Sequence, residues 1–220
     1  MKVIFALWDA GDLLAEDLTA RLTVAGALAV QANISDAVVE NAMLRLTTFD
    51  EPVAAVVSVW LSDRHETAAV ADLLASVAKR VAGWHVEEAR PIEPPAVSLR
   101  ERAPGLANIA FLRRPDTLSH PDWLHRWRNE HTEVAIATQA TFGYVQNLVL
   151  EPVTEAAPDI AAIVEELFPI EALSDPHAFY GSVGDNAELT RRISRLMKSV
   201  NTFGADRDID VVPTSRYLLA

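Results

Sequence analysis

The sequence contains no cysteine. That excludes disulfide bonds and thiolate metal centres together, and it fits a reducing compartment. Basic residues are scarce: 19 Lys and Arg stand against 31 Asp and Glu, a formal net charge of −12. An acidic chain repels phosphate backbones, which argues against nucleic acid as a partner. The one basic cluster is Arg191, Arg192, Arg195 and Lys198. Its last three members fall at i, i+3 and i+6 and drift around a helix, the pattern of a solvated face.

Long apolar runs are missing as well. The uncharged stretch 22–31 falls short of the roughly 20 residues that span a bilayer. Residues 3–8 are apolar, but Asp9 and Asp12 follow at once, without the length or cleavage site of a secretory signal. The expectation is a cytoplasmic protein with no membrane partner.

Several chemical signatures are also lacking. No Gly-x-Ser-x-Gly nucleophile elbow occurs. Gly181-Ser182-Val183-Gly184 has neither the Lys of a phosphate loop nor the framing of a dinucleotide fingerprint, and reads as a helix break. His120, His125 and His131 are spaced five and six apart, so they do not share a helix face as zinc-binding pairs do. Asp122 and His125 form only a weak ligand pair, and no haem axial signature is seen. No metal and no cofactor are expected.

Half of the 220 residues are hydrophobic, enough for a globular chain with a sizeable core. Residues 2–8 (KVIFALW) read as a buried strand. Residues 13–31 read as a helix capped by Asp12. Residues 42–49 alternate with period two, the mark of a half-buried strand. A turn at 50–52 leads to a second strand at 53–61, paired as a hairpin. Residues 66–82 are helical, with Gly83 as the stop, and 84–92 close the unit. This is the β-α-β-β-α-β order of a ferredoxin-like unit. Four prolines and a glycine across 91–105 mark a linker.

The second half repeats the order. Residues 107–113 form a strand, and Ser119 caps a helix that begins at His120-Pro121. Residues 141–150 form the next strand. In 159–168 composition favours a helix while topology asks for a strand. Residues 171–203 are helical, interrupted near Gly181 and Gly184, and 209–212 with 215–219 make the last strand around Pro213. The division is therefore 1–92, a linker at 93–106, and 107–220.

The run FLRRPDTLSHPDWLHRWRNEHTEVA carries a more specific pattern. Arg113, Arg114, Pro115, Leu118, Ser119, Trp123, Trp127, Arg128 and His131 resemble the signature of EthD-type proteins, members of the dimeric α+β barrel superfamily. Tyr144 to Asn147 (YVQN), Asp175, Ala178, Phe179, Tyr180, Asp185, Leu189, VVPTS and Tyr217 continue the likeness. Thr132-Glu133 replaces the Gly-Pro that commonly follows the family's His, and the first half has no Trp-x-x-x-His. The resemblance covers about half the chain. It implies an α+β fold in which two sheets form a barrel, here with both supplied by tandem ferredoxin-like units of a single chain. It also implies a strand at 159–168, a pocket between sheet and helices, a small-molecule ligand, and room for a homodimer.

Trp123, Trp127 and His131 at i, i+4 and i+8 share a helix stripe. An imidazole among indoles is desolvated, which lowers its pKa below about 6.5 and yields a neutral base at pH 7. Tyr144 and Gln146 share one strand face with Phe142 and Leu148, and could supply a proton donor and an amide that polarises a carbonyl. With His131 and Tyr144 as catalytic groups and Trp127, Gln146, Phe111 and Trp123 around the substrate, this suits a lyase, cyclase or isomerase acting on a small aromatic or polyketide-like molecule. The same residues also read as ordinary packing, with His131 bonded to a strand carbonyl, in a binding or structural barrel without chemistry.

Overall fold

Each strand of this chain has two buried faces, one turned toward a barrel axis and one toward a layer of helices. The computed structural model describes residues 1–155 and 157–220. In the first half, β1 (Lys2–Ala10) is followed by α1 (Glu16–Val24), β2 (Ala27–Ile34), β3 (Ala55–Leu61), α2 (Thr67–Ala75) and β4 (Ala78–Ile92). In the second, β5 (Leu106–Leu112) leads to α3 (His120–His125), a π-helical turn (Arg126–His131) and α4 (Thr132–Thr138). Then come β6 (Gly143–Pro152), β7 (Ala162–Phe168), α5 (Pro176–Tyr180), α6 (Asn186–Phe203) and β8 (Asp210–Leu218).

The eight strands close a barrel in the order β1-β3-β2-β8-β5-β7-β6-β4, every pair antiparallel. Each half contributes the same internal order, fourth-first-third-second, which is the ferredoxin-like arrangement. The seams are β2 with β8 and β4 with β6. The expected tandem α+β fold is therefore present, and the barrel closes within one chain, leaving no free sheet edge.

Alternation along the strands sorts the core. Val3, Phe5, Val57 and Val59 pack with Leu18, Leu22, Val70 and Leu74 of α1 and α2. Ile4, Trp8, Trp84, Phe111 and Ile163 fill the barrel interior. Phe49 plugs that end, with ring centroids 5.5 Å from Trp8 and 5.4 Å from Phe111. Asp210, 1% exposed, holds the plug by accepting from the Phe49 amide at 3.0 Å, from Thr48, and from Arg113 at 2.8 Å.

Several expected boundaries move. The helix expected over 13–31 stops at Val24, where Gly26 takes φ 108°, a conformation that favours glycine. The apolar residues after it form β2. The alternating run 42–49 is not a strand: it lies in the long 35–54 connection and, among the described residues, forms one isolated β-bridge to the sheet, Leu46 to Val211. The tight hairpin at 50–52 goes with it.

Gly83 does not end a helix. It sits inside β4, where an added Cβ would lie 2.6 Å from the Phe5 ring, so glycine is needed there for close approach. Residues 162–168 are a strand, as topology asked. Strand β8 runs unbroken through Pro213. Val211 donates its amide outward to Leu46, so the amide side of Pro213, two residues on, also faces away from β5 and costs no ladder bond.

Candidate functional site

On the helix-facing side of the second unit, the sheet and helices do not meet completely. They leave a cavity of about 240 Å³ lined by Asn108, Leu112, Trp127, His131, Tyr144, Glu166, Tyr180 and Phe203, among others. A larger groove of about 930 Å³ runs past Arg113, Arg114 and Arg207 on the surface, but His131, Tyr144 and Glu166, each shifted in pKa chiefly by desolvation, gather in the smaller cavity.

The floor of the cavity is a row of polar side chains across three strands. Tyr144 on β6 is paired with Glu166 on β7, and Glu166 is paired with Asn108 on β5. Residues paired in register point to the same face, so a phenol, a carboxyl and an amide stand side by side. Burial raises the Glu166 carboxyl to about 7, partly offset by the nearby Gln139 side chain. One carboxyl oxygen, Oε1, is enclosed without a hydrogen bond among the described residues, as is Asn108 Oδ1. The residue itself is only half-buried because the cavity reaches it.

Tyr144 is 1% exposed. Burial first and the Glu166 charge second raise its pKa well above the usual phenol value, so it keeps its proton. Its hydroxyl oxygen accepts from Gln146 Nε2 at 3.2 Å, and Gln146 also donates to Thr132 Oγ1 at 2.8 Å. The Thr132 side chain also hydrogen-bonds to the phenol.

The roof comes from the interrupted helix 120–138. Ser119 caps it by accepting from the Asp122 amide, with Pro121 in the first turn. Over Arg126–His131 the helix widens to π geometry, a device that recurs at functional sites. Trp127 and His131 both project from this wide turn into the cavity. His131 Nδ1 lies 3.0 Å from Ser199 Oγ on α6, and its ring packs on Phe203 at 4.8 Å. Nε2 makes no hydrogen bond among the described residues. Burial lowers the imidazole to about 4, so it is neutral throughout the ordinary pH range.

Of the residues singled out from the sequence, the structure brings His131, Tyr144 and Trp127 to one cavity. Gln146 braces Tyr144 and does not line the space. Trp123 lies behind Trp127, ring centroids 5.1 Å apart, fully buried in the helix–sheet core. Phe111 is a correction: strand alternation turns it into the barrel interior with Trp84, while its neighbours Ala110 and Leu112 line the cavity. Glu166 and Asn108 were not singled out from the sequence, and Tyr180 was named only within the resemblance. The available signal was the register of 162–168: once that segment is a strand, Glu166 falls on the same face as Val164 and Phe168. Among the described residues, no group of three His, Asp or Glu side chains could hold a metal ion, and no helix is long and apolar enough to cross a membrane.

No protein-family model matches the chain, and no curated protein matches it significantly. Solved structures do. A candidate monooxygenase from Lactobacillus acidophilus aligns over 100% of this chain and 95% of its own, with TM-score 0.51 and 9% identity. An anthrone oxidase-like protein aligns over 100% and 91%, with TM-score 0.59 and 6% identity. A candidate monooxygenase from Fusobacterium nucleatum aligns over 100% and 92%, with TM-score 0.50 and 9% identity. The likeness is one of fold. It matches the dimeric α+β barrel architecture along the whole chain.

Proposed function

We propose that this chain is an enzyme that removes a proton from carbon beside the carbonyl of a small, mainly apolar substrate, within the helix–sheet cavity of its second unit. The observation that carries the reading is Glu166: a carboxyl raised to about 7 on the floor of an accessible cavity is matched to proton transfer near neutral pH. In this reading Glu166 takes the proton. The Tyr144 O–H and the Asn108 amide face the developing enolate oxygen, where donors lower the barrel's barrier to enolisation most. Trp127, Leu112 and Phe203 hold the apolar body. His131, with an imidazole at about 4, is a weak base, so its role shifts from base to neutral hydrogen-bonding wall.

Enolisation is the step shared by isomerase, cyclase and lyase chemistry on aromatic or polyketide-like ketones. The EthD-like spacing from Arg113 to His131 and the shared fold of an anthrone oxidase-like protein support a substrate of that class. The test is solvent-deuterium exchange at the methylene of 2-tetralone and of anthrone, followed by proton NMR. The expected result is exchange above the buffer rate, abolished by Glu166→Gln. Exchange that survives this substitution removes Glu166 from the role.

A second reading is favoured by one observation: His131 Nδ1 is already engaged by Ser199, as in a built but inert wall. On this reading the cavity binds a ligand without chemistry. Saturable binding of 2-tetralone with no exchange would select it.

A further inference from the structure

The axial end of the barrel opposite the Phe49 plug is not filled by apolar side chains. It opens into a hollow of about 640 Å³ to which seven strands contribute, with the inter-unit segment 93–97 on its rim. It lies on the inner face of the sheet, away from the cavity described above. Its walls are mainly apolar: Trp60, Val145, Leu218 and the Pro94–Val97 stretch.

Two cations sit at its base, and both hold more donors than the protein satisfies. Lys2 is 5% exposed and bonds Glu88 Oε1 at 2.7 Å. An ammonium has three N–H groups, and no second acceptor of Lys2 occurs among the described residues, although its charge also lies over the Trp60 ring at 4.7 Å. The side chain of Arg216 is 11% exposed. Its Nε donates to Gln31 Oε1 at 3.1 Å and lies 3.4 Å from Glu165 Oε1. Among the described residues its Nη1 is enclosed with no partner, and Nη2 makes no hydrogen bond.

The acceptors nearby are already taken. Glu165 receives Gln31 Nε2 at 3.0 Å and Asn33 Nδ2 at 2.9 Å. Glu88 receives Lys2, Arg90 at 3.1 Å and Trp60 Nε1 at 3.4 Å. Leaving charged donors unmatched is costly. Nη1 is shut off from the hollow, so Nη2 is the guanidinium nitrogen that can donate a charge-assisted hydrogen bond to a carboxylate oxygen there.

We propose that the barrel mouth is a second ligand site, for a small carboxylate with an apolar body. The carboxylate sits on Arg216 Nη2, in the hollow that Lys2 also lines. The body lies between Trp60 and the 94–97 rim. Glu88, Glu93 and Glu165 balance Lys2, Arg90 and Arg216 in formal charge, so the carboxylate is drawn by the open donors and not by net charge. The site is independent of the proton-transfer reading: it shares no lining residue with the helix–sheet cavity.

The test is isothermal titration of the full chain with benzoate and with hexanoate, using benzamide and hexanol as neutral counterparts. The expected result is saturable one-to-one binding of a carboxylate, with its neutral counterpart weaker by roughly tenfold or more. Arg216→Gln should weaken the carboxylate by a similar factor. Because Arg216 also contacts Glu165, Val97→Trp serves as the second variant: it fills the rim without touching a charge and should also reduce binding. Glu166→Gln should leave carboxylate binding unchanged. Absence of saturable binding with either carboxylate would overturn the proposal. So would equal affinity for the neutral counterparts, or binding that is lost in Glu166→Gln and kept in Val97→Trp.

Discussion

Tyr144 and Glu166 are register partners on neighbouring strands, and each changes what the other can do. The carboxylate's charge adds to burial in holding the phenol protonated. A carboxyl that titrates near neutrality thus stands beside a hydroxyl that never loses its proton in the working range. One group can accept a proton while its neighbour donates a hydrogen bond, a division of labour set by the environment and not by residue type.

The first prediction concerns Glu166. Its folded value of about 7 stands above the ordinary 4.5, so the folded state holds the proton more firmly. Stability is full below about 4.5 and falls as pH rises toward and through 7. Glu166→Gln removes that loss. Between pH 4.5 and pH 8, the unfolding free energy of the variant relative to wild type should gain about 1–3 kcal/mol, the lower end reflecting water that reaches the group through the cavity. Urea titrations at the two pH values measure it. In the same variant the deuterium-exchange rate should drop by roughly 10²–10⁴-fold, and the wild-type rate should rise with an apparent pKa near 7.

His131 runs the opposite way. Its folded value of about 4 lies below the ordinary 6.5. Its contribution is complete above 6.5 and is lost as pH falls through 4, a swing of about 3 kcal/mol. His131→Gln should flatten this part of the acid-unfolding profile. A variant with the same acid sensitivity as wild type would show that the imidazole is not desolvated.

Phe111 and Trp127 separate the barrel from the cavity. Each is fully buried, so truncation to alanine should cost about 3–5 kcal/mol. At a temperature where both variants remain folded, Phe111→Ala should exchange 2-tetralone with an unchanged KM, because its side chain faces the barrel. Trp127→Ala should raise KM. Equal effects on KM would contradict the placement of the two rings on opposite sides of the sheet.

Gly83 tests the reassigned strand. A methyl at this position meets the Phe5 ring, and overpacking of this kind typically costs about 1–3 kcal/mol. Gly83→Ala should lower Tm by several degrees. An alanine that stabilises would fit an open helix terminus and not the middle of β4.

How far the sequence could be read depended on how local the deciding contact was. Strands 2–8 and 53–61 were legible because their β-branched and aromatic runs are self-sufficient signals. Strand β2 was not, since ALAVQANI continues an alanine-rich helix in composition and only Gly26 divides them. The alternation of 42–49 misled because those residues answer to Asp210, about 160 positions away, and not to a neighbouring strand. Segment 162–168 carried a helix-like composition overridden by its pairing with β5 and β6. The same override hid Glu166, whose burial exists only once three strands lie side by side. Trp127, His131 and Tyr144 were visible because a spaced pattern marks them, while the π turn that aims two of them leaves no composition of its own.

Closure of the barrel within one polypeptide has a consequence for how such a molecule can change. In an assembly of two identical subunits, any substitution strikes both cavities and every seam at once. Here the two units are free to differ: the helix-facing strand residues Val3, Phe5, Val57 and Val59 of the first pack solidly, while Asn108, Tyr144 and Glu166 of the second keep an opening. One unit can be spent on rigidity, so the other can tolerate a hollow and an unpaired carboxyl that neither would withstand in duplicate.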